Sequence, residues 1–214
     1  MGRGMFISFE GIEGSGKTTL SRLLAEGLTG RGYDVVLTRE PGGTAIGRQV
    51  RGILLDPANG AMASVTELLL YNADRAQHLA ELIGPSLRDG KIVITDRFTD
   101  STLAYQGHAR GLDLSLIGRL DMIAAGGIRP DLTILLDLDA EAGLRRNRAV
   151  NKEDRLERES IEFHKRVREG YLHIARSDPD RVKVVQADAP VEETRDRILA
   201  IVTQAIALCQ SAQS

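Results

Sequence analysis

Residues 10–20 read EGIEGSGKTTL. Within them Gly11, Ile12, Glu13, Gly14, Ser15, Gly16, Lys17 and Thr18 fit the pattern G-x-x-x-x-G-K-[ST] at every position. The flanks carry as much weight as the match. MFISF (5–9) before it is a short apolar run suited to a strand, and after it Leu20, Leu23, Leu24 and Leu28 recur as one stripe of a helix. Strand, glycine-rich turn and helix in that order make a phosphate-binding loop. The glycines let backbone N–H groups turn inward, and the helix N-terminus adds its positive end. Lys17 is expected to reach the β- and γ-phosphates, Thr18 to offer its hydroxyl to Mg²⁺, and Thr19 to join the nucleotide contacts. A bound Mg-nucleotide follows; the molecule that receives the phosphate does not. A carboxylate, Glu13, inside a loop made for polyanions sharpens that question.

Four further apolar runs lie beyond the loop: DVVLT (34–38), KIVIT (91–95), LTILLDL (132–138) and VKVVQ (182–186). Each is nearly continuous in apolar residues, as expected for strands covered on both faces. Helical periodicity fills the gaps, and over 65–83 it picks out Leu69, Ala73, Ala76, Ala80 and Ile83 as an apolar stripe. The alternation predicts an α/β fold, a doubly wound five-stranded parallel sheet flanked by helices, with ligands at the carboxyl ends of the strands. The expectation is one domain over 1–214, with a tail that frays over about 207–214. RRNRAVNKEDR (145–155) stands apart, being almost devoid of apolar residues.

With 214 residues, 42% of them apolar, the chain suffices for one sizeable core. A net charge of -2 and a pI near 6.1 argue against a nucleic-acid or membrane-surface partner. The single Cys209 excludes an internal disulfide framework and fits a reducing compartment. The four histidines show no metal-ligand spacing, so no zinc site is expected. No apolar run approaches the length of a membrane span or a secretory signal, so a soluble, cytoplasmic protein is expected.

Phosphate-binding loops serve switches, motors and kinases alike. Asn151-Lys152-Glu153-Asp154 spells the N-K-x-D of a guanine reader, but it follows a polar run rather than a buried strand. No Asp after the loop has Gly three positions on, so a switch GTPase is disfavoured. The run KIVIT leads into Asp96-Arg97-Phe98. An Asp there can hold the Mg²⁺ hydration shell, and the adjacent Arg suits a second anionic substrate better than an attacking water. The same pair could instead be a local ion pair capping a helix.

FISFEGIEGSGKTT, TREPGGT, DRF, S-T-x-A-Y-Q-G (101–107) and RPDLTILLDLD together resemble the bacterial thymidylate kinase family, in order and spacing, from about residue 5 to 205. The resemblance implies a P-loop kinase fold with a short lid at about 140–158. It implies transfer of a phosphoryl group from ATP to dTMP with Mg²⁺, by a homodimer. It assigns Arg39 and Arg51 to the dTMP phosphate and Arg97 to a bridge between that phosphate and the transferring one. It places Tyr71 and Arg75 on the thymine, with Ser101, Thr102 and Tyr105 lining the sugar and base pocket. Tyr71 departs from the more common Phe. Without the resemblance, Tyr71 and Tyr105 would read as ordinary half-buried aromatics.

The resemblance also turns Glu13 toward the acceptor's deoxyribose, where the alternative is a solvent-facing carboxylate. Members without an arginine in the loop carry arginines in a mobile lid. Here the lid offers Arg145, Arg146, Arg148, Lys152 and Arg155, with Arg148 chosen as catalytic alongside Lys17, Arg97 and Glu13, and Arg145 as an ATP contact. A solvated polar helix face would have the same composition. Arg48 and Val150 are further departures, where relatives often carry Glu and Arg.

Overall fold

The computed structural model describes residues 4–148 and 154–211. Strands β1 (Phe6–Glu10), β2 (Val35–Arg39), β3 (Ile92–Asp96), β4 (Leu132–Asp137) and β5 (Val182–Gln186) form one sheet of order β2-β3-β1-β4-β5, each neighbouring pair parallel. They coincide with the five apolar runs to within a residue or two. Burial on both faces holds for the inner strands β1, β3 and β4, whereas the edge strands β2 and β5 alternate between covered and open positions. Helices pack on both faces. One core lies under α1 (Lys17–Thr29), α8 (Ile161–Ser177) and α9 (Val191–Ser211). A smaller core on Phe6, Val93 and Phe98 is closed by Leu79, Ile83 and Leu87.

Helix α1 buries Leu20, Leu24 and Leu28 and leaves Leu23 half-buried, so the stripe read from the sequence faces the core. Helix α2 (Ala45–Leu55) starts where Thr44 Oγ1 accepts the Gly47 N–H at 2.9 Å. Helix α3 (Ser64–His78) runs through a π-helical turn (Leu79–Ile83) into α4 (Gly84–Arg88). Here the expected face is overturned. Leu69, Ala73, Ala76 and Ala80 are exposed and only Ile83 of that stripe is buried, while Glu67, Asn72, Asp74, Arg75 and His78 point inward. Most of that polar face is engaged inside: Arg75 pairs with Glu40 and Asp121, His78 sits between Glu40 and Thr38, and Asp74 Oδ1 accepts the Gly42 N–H, while Asn72 Oδ1 and Asp74 Oδ2 are buried without a partner among the described residues.

Helix α5 (Thr99–Thr102) continues as a π-helical segment, Leu103–Ala109, before α6 (Leu114–Ala125). Helix α7 (Ala140–Arg148) follows β4. Helix α9 runs to Ser211, and Val202 and Ile206 hold it to the core up to the segment expected to fray, where Leu208 is exposed. Residues 212–214 lie outside the described residues. Since all five strands run the same way, Glu10, Arg39 and Asp96 close their strands at one edge of the sheet, and the cleft opens there.

Candidate active site

The loop after β1 is shaped by glycine. Gly14 has φ +71°, and a Cβ there would lie 2.0 Å from the Gly143 carbonyl oxygen of α7. A Cβ on Gly143 would in turn meet the Glu13 carbonyl oxygen at 2.5 Å, so loop and helix touch backbone to backbone. Lys17 is buried, and its ammonium donates to Ile12 O at 2.7 Å. Burial, then the Arg97 charge, pull its pKa down to about 8 against the opposing pull of Asp96.

Thr18 Oγ1 donates to Asp96 Oδ2 at 2.6 Å, so the hydroxyl and carboxylate assigned to Mg²⁺ are side by side. Two hard oxygen donors at the mouth of a phosphate loop suit that ion, which takes its remaining ligands from phosphate and water. Among the described residues no cluster of three acidic or histidine side chains offers a self-sufficient metal cage.

The Arg97 guanidinium pairs with Glu13, and Asp96 takes the Thr18 hydroxyl, an arrangement unlike the local Asp96–Arg97 pair that the sequence left open. The Arg97 backbone takes φ +78°, an uncommon left-handed conformation for a residue with a side chain. Thr95 Oγ1 donates to the Arg97 carbonyl at 2.9 Å and Glu10 Oε1 accepts the Phe98 N–H at 2.7 Å, pinning the turn on either side. Arg97 Nη2 donates to Glu13 Oε1 and to the Tyr105 hydroxyl, both at 3.1 Å. Nη1 is shared among Gly11 O, Ser101 Oγ and Tyr171 Oη at 3.0–3.2 Å.

Glu13 turns inward rather than to solvent. Tyr105 donates to its Oε1, and His164 Nδ1 lies 3.3 Å from its Oε2. Burial alone would raise this carboxyl; the His164 contact and the Arg97 and Lys17 charges outweigh it and hold the group well below the usual carboxylate range. Glu10, fully buried beside Asp100, is instead pushed up to about 7, burial being the main cause.

Beyond Arg97 the cleft narrows to a slot lined by Tyr71, Arg75, Ser101, Thr102 and Tyr105, the residues assigned to the acceptor from the sequence. Phe98 and Gln106 line it too and were not singled out. Arg75 is fully buried: Nε donates to Glu40 at 3.0 Å, Nη1 to Asp121 and Nη2 to Thr102 at 2.9 Å. Burial raises the Tyr71 hydroxyl pKa, so that group stays neutral. Arg39 and Arg51 stand at the wider part of the cleft, which measures about 350 Å³. Arg51 Nη1 donates to the carbonyl of Pro41, which follows a cis Glu40–Pro41 bond.

The basic segment divides. Arg146 lines the cleft with Asn147, and its Nη1 donates to Ala187 O at 2.7 Å. Arg145 and Arg148 are exposed on α7 and do not line the cleft in this arrangement. Arg155 is corrected: it is buried, its Nε donates to Leu54 O at 2.8 Å and it pairs with Glu67, which also binds Arg110 and Gln106. A cation so engaged tethers the segment and is not a spare lid arginine. Val150, Asn151, Lys152 and Glu153 lie outside the described residues; Asp154 accepts the N–H groups of Leu156 and Glu157. Arg48 is exposed on α2.

His164 and Tyr171, which touch Glu13 and Arg97 from behind, were also missed. The signal was their place in α8: with Phe163, Val167 and Ile174 they share its buried face, where a histidine is out of pattern.

Comparison with known proteins gives a consistent result. A family model described as thymidylate kinase matches residues 9–198. A thymidylate kinase of Geobacter sulfurreducens is 55% identical over 197 residues, covering 89% of this chain and 92% of its own. One of Syntrophotalea carbinolica is 52% identical over 209 residues, covering 95% and 97%. The crystal structure of thymidylate kinase from Ehrlichia chaffeensis superposes with a TM-score of 0.78 at 40% identity, covering 94% of this chain and 99% of that one.

Proposed function

The chain belongs to the thymidylate kinase family, and from that membership we infer that it transfers the terminal phosphoryl group of MgATP to dTMP, giving ADP and dTDP. The observation that carries the reading in this molecule is a cleft whose two parts share Tyr71 and Arg97 in their lining. It has the phosphate loop and the Thr18–Asp96 pair at one end, the Tyr71–Arg75 slot at the other, and the Arg97–Glu13 contact between them.

We propose the following division of labour. The loop from Gly11 to Thr19 wraps the ATP phosphates, with Lys17 on the β- and γ-groups. Thr18 and Asp96 hold Mg²⁺, which neutralises charge on the phosphates when bound. Arg39 and Arg51 receive the acceptor phosphate. Arg97, forked and permanently charged, is fixed where the two phosphates would meet, so its job is orientation and charge neutralisation. Glu13 orients Arg97 and Tyr105 and faces the deoxyribose. Tyr71 and Arg75 take the base, with Ser101, Thr102 and Tyr105 around the sugar. Arg145 and Arg148 reach the ATP phosphates only if α7 moves inward. In-line transfer then needs positioning more than a strong base.

We further propose a homodimer, supported by the outward apolar stripe of α3, where Val65 and Leu69 remain 47% and 49% exposed, next to Ile46 and Ile53 on α2. No helix among the described residues is long and apolar enough to cross a membrane. The lone free thiol, Cys209, supports a reducing, cytoplasmic location.

A coupled ADP-release assay over a panel of nucleoside monophosphates tests the reading. dTMP should be the best acceptor, with dUMP behind by about 10–200-fold in kcat/KM, the worth of one methyl in an apolar pocket. Equal rates for all monophosphates, or ATP hydrolysis indifferent to the acceptor, would refute it.

A further inference from the structure

We infer that His164 and Tyr171 of α8 are positioning residues, which fix the Glu13 carboxylate and the Arg97 guanidinium from behind without touching a substrate. The inference rests on the reading that Glu13 and Arg97 serve the acceptor. The two residues are seven apart, two helical turns, on one buried face of a helix that packs against the π-helical segment bearing Tyr105.

His164 is fully buried, and among the described residues neither of its ring nitrogens has a hydrogen-bond partner within normal geometry. Glu13 Oε2, 3.3 Å from Nδ1, has none either. A buried imidazole and a buried carboxylate oxygen 3.3 Å apart are costly unless they serve each other, whereas a leucine or phenylalanine at 164 would fill the space without that cost. What the imidazole supplies is a second anchor. Arg97 and Tyr105 grip only Oε1, and the terminal torsion of a glutamate is broad, so a carboxylate held by one oxygen rocks. An Nδ1–H facing Oε2 at 3.3 Å restrains that motion electrostatically, even though the contact falls short of a well-formed hydrogen bond.

Tyr171 does the same for Arg97. Its hydroxyl accepts from Nη1 at 3.0 Å, donates to Glu10 Oε2 at 3.0 Å and lies 2.7 Å from Ser101 Oγ. Glu10 also accepts the Phe98 N–H, so the hydroxyl ties the guanidinium to the left-handed turn that presents it.

The test compares His164→Leu, His164→Asn and Tyr171→Phe in steady-state kinetics, with ATP affinity by calorimetry and thermal unfolding alongside. His164→Leu and Tyr171→Phe should lower kcat/KM for dTMP by about 10–100-fold, the scale of a small misplacement, and leave ATP affinity within about twofold. His164→Asn, which returns an N–H near the place of Nδ1, should recover most of the loss. Wild-type kcat/KM in both His164→Leu and Tyr171→Phe overturns the proposal. So does an equal loss of ATP affinity, or an asparagine variant no better than leucine. If His164→Leu does not fold, Tyr171→Phe decides, since it removes one oxygen. If the wild-type protein does not phosphorylate dTMP, the proposed function fails separately. The positioning claim is then read from a crystal structure of His164→Leu, in which an unmoved Glu13 carboxylate would sink it and a displaced one would support it.

Discussion

Lys17 and Arg75 are both buried cations, and their surroundings give them opposite sensitivities. Burial drives the Lys17 pKa down to about 8, so in the free enzyme the ammonium loses its proton as pH rises through that value. Bound polyphosphate restores the charge. The expected pH profile is a fall in kcat/KM for ATP above about pH 8 with kcat sustained to higher pH, because the first reports the free enzyme and the second the complex. Coincident profiles would show that Lys17 titrates normally. Arg75 has carboxylates for neighbours, and its removal strands Glu40 and Asp121 in the interior. Arg75→Ala should therefore cost about 3–5 kcal/mol in urea unfolding, beyond any loss of acceptor affinity. A change under about 1 kcal/mol would mean that the pairs are relaxed by water. The i, i+4 spacing of Tyr71 and Arg75 was legible in the sequence. That Arg75 also braces the fold was not, because Glu40 and Asp121 lie 35 and 46 residues away.

Among the elements, strands were read best. Their nearly continuous apolar runs located all five, although the expected burial on both faces holds only for β1, β3 and β4 and not for the edge strands β2 and β5. Helix α3 was misread for a definite reason: periodicity locates an apolar stripe but not its destination, and here the stripe faces outward while a polar network built on Arg75 and His78 takes the inside. The basic run was misread in part for the same reason, since Arg155 differs from Arg148 only in what the fold brings to it. Glu67 and the Leu54 carbonyl hold Arg155, whereas Arg148 stands exposed at the end of α7. Single substitutions should separate them. Arg148→Ala is expected to lower kcat by about 10²–10³ with little change in KM for ATP, as for a group engaged mainly in the transition state. Arg155→Ala should act first on thermal stability. Near-normal kcat in Arg148→Ala, repeated for Arg145 and Arg146, would reduce the exposed face of α7 to solvated charge.

At the scale of the molecule, strand order puts β1 at the centre and gathers Glu10, Asp96 and Arg39 at one edge, so the site follows from topology once the strands are parallel. The outer surface carries a second instruction. The bare stripe of α3 predicts that Leu69→Glu turns the protein into monomers in sedimentation equilibrium, with the protomer fold kept because Leu69 is 49% exposed. An unchanged mass would move the subunit contact elsewhere. The backbone contact between Gly14 and Gly143 reaches furthest. It lets α7 lean on the loop only while position 14 has no side chain, so loop and helix constrain each other's chemistry. A loop that carried its own cation at 14 would have to evict α7, and a chain that keeps α7 must import its charge from that helix. The two are compatible only as a matched set. Gly14→Arg, which adds a cation near the γ-phosphate, should for that reason impair turnover and cost about 1–3 kcal/mol or more of stability from the collision. A variant of full stability and undiminished kcat would show that α7 and the loop are independent after all.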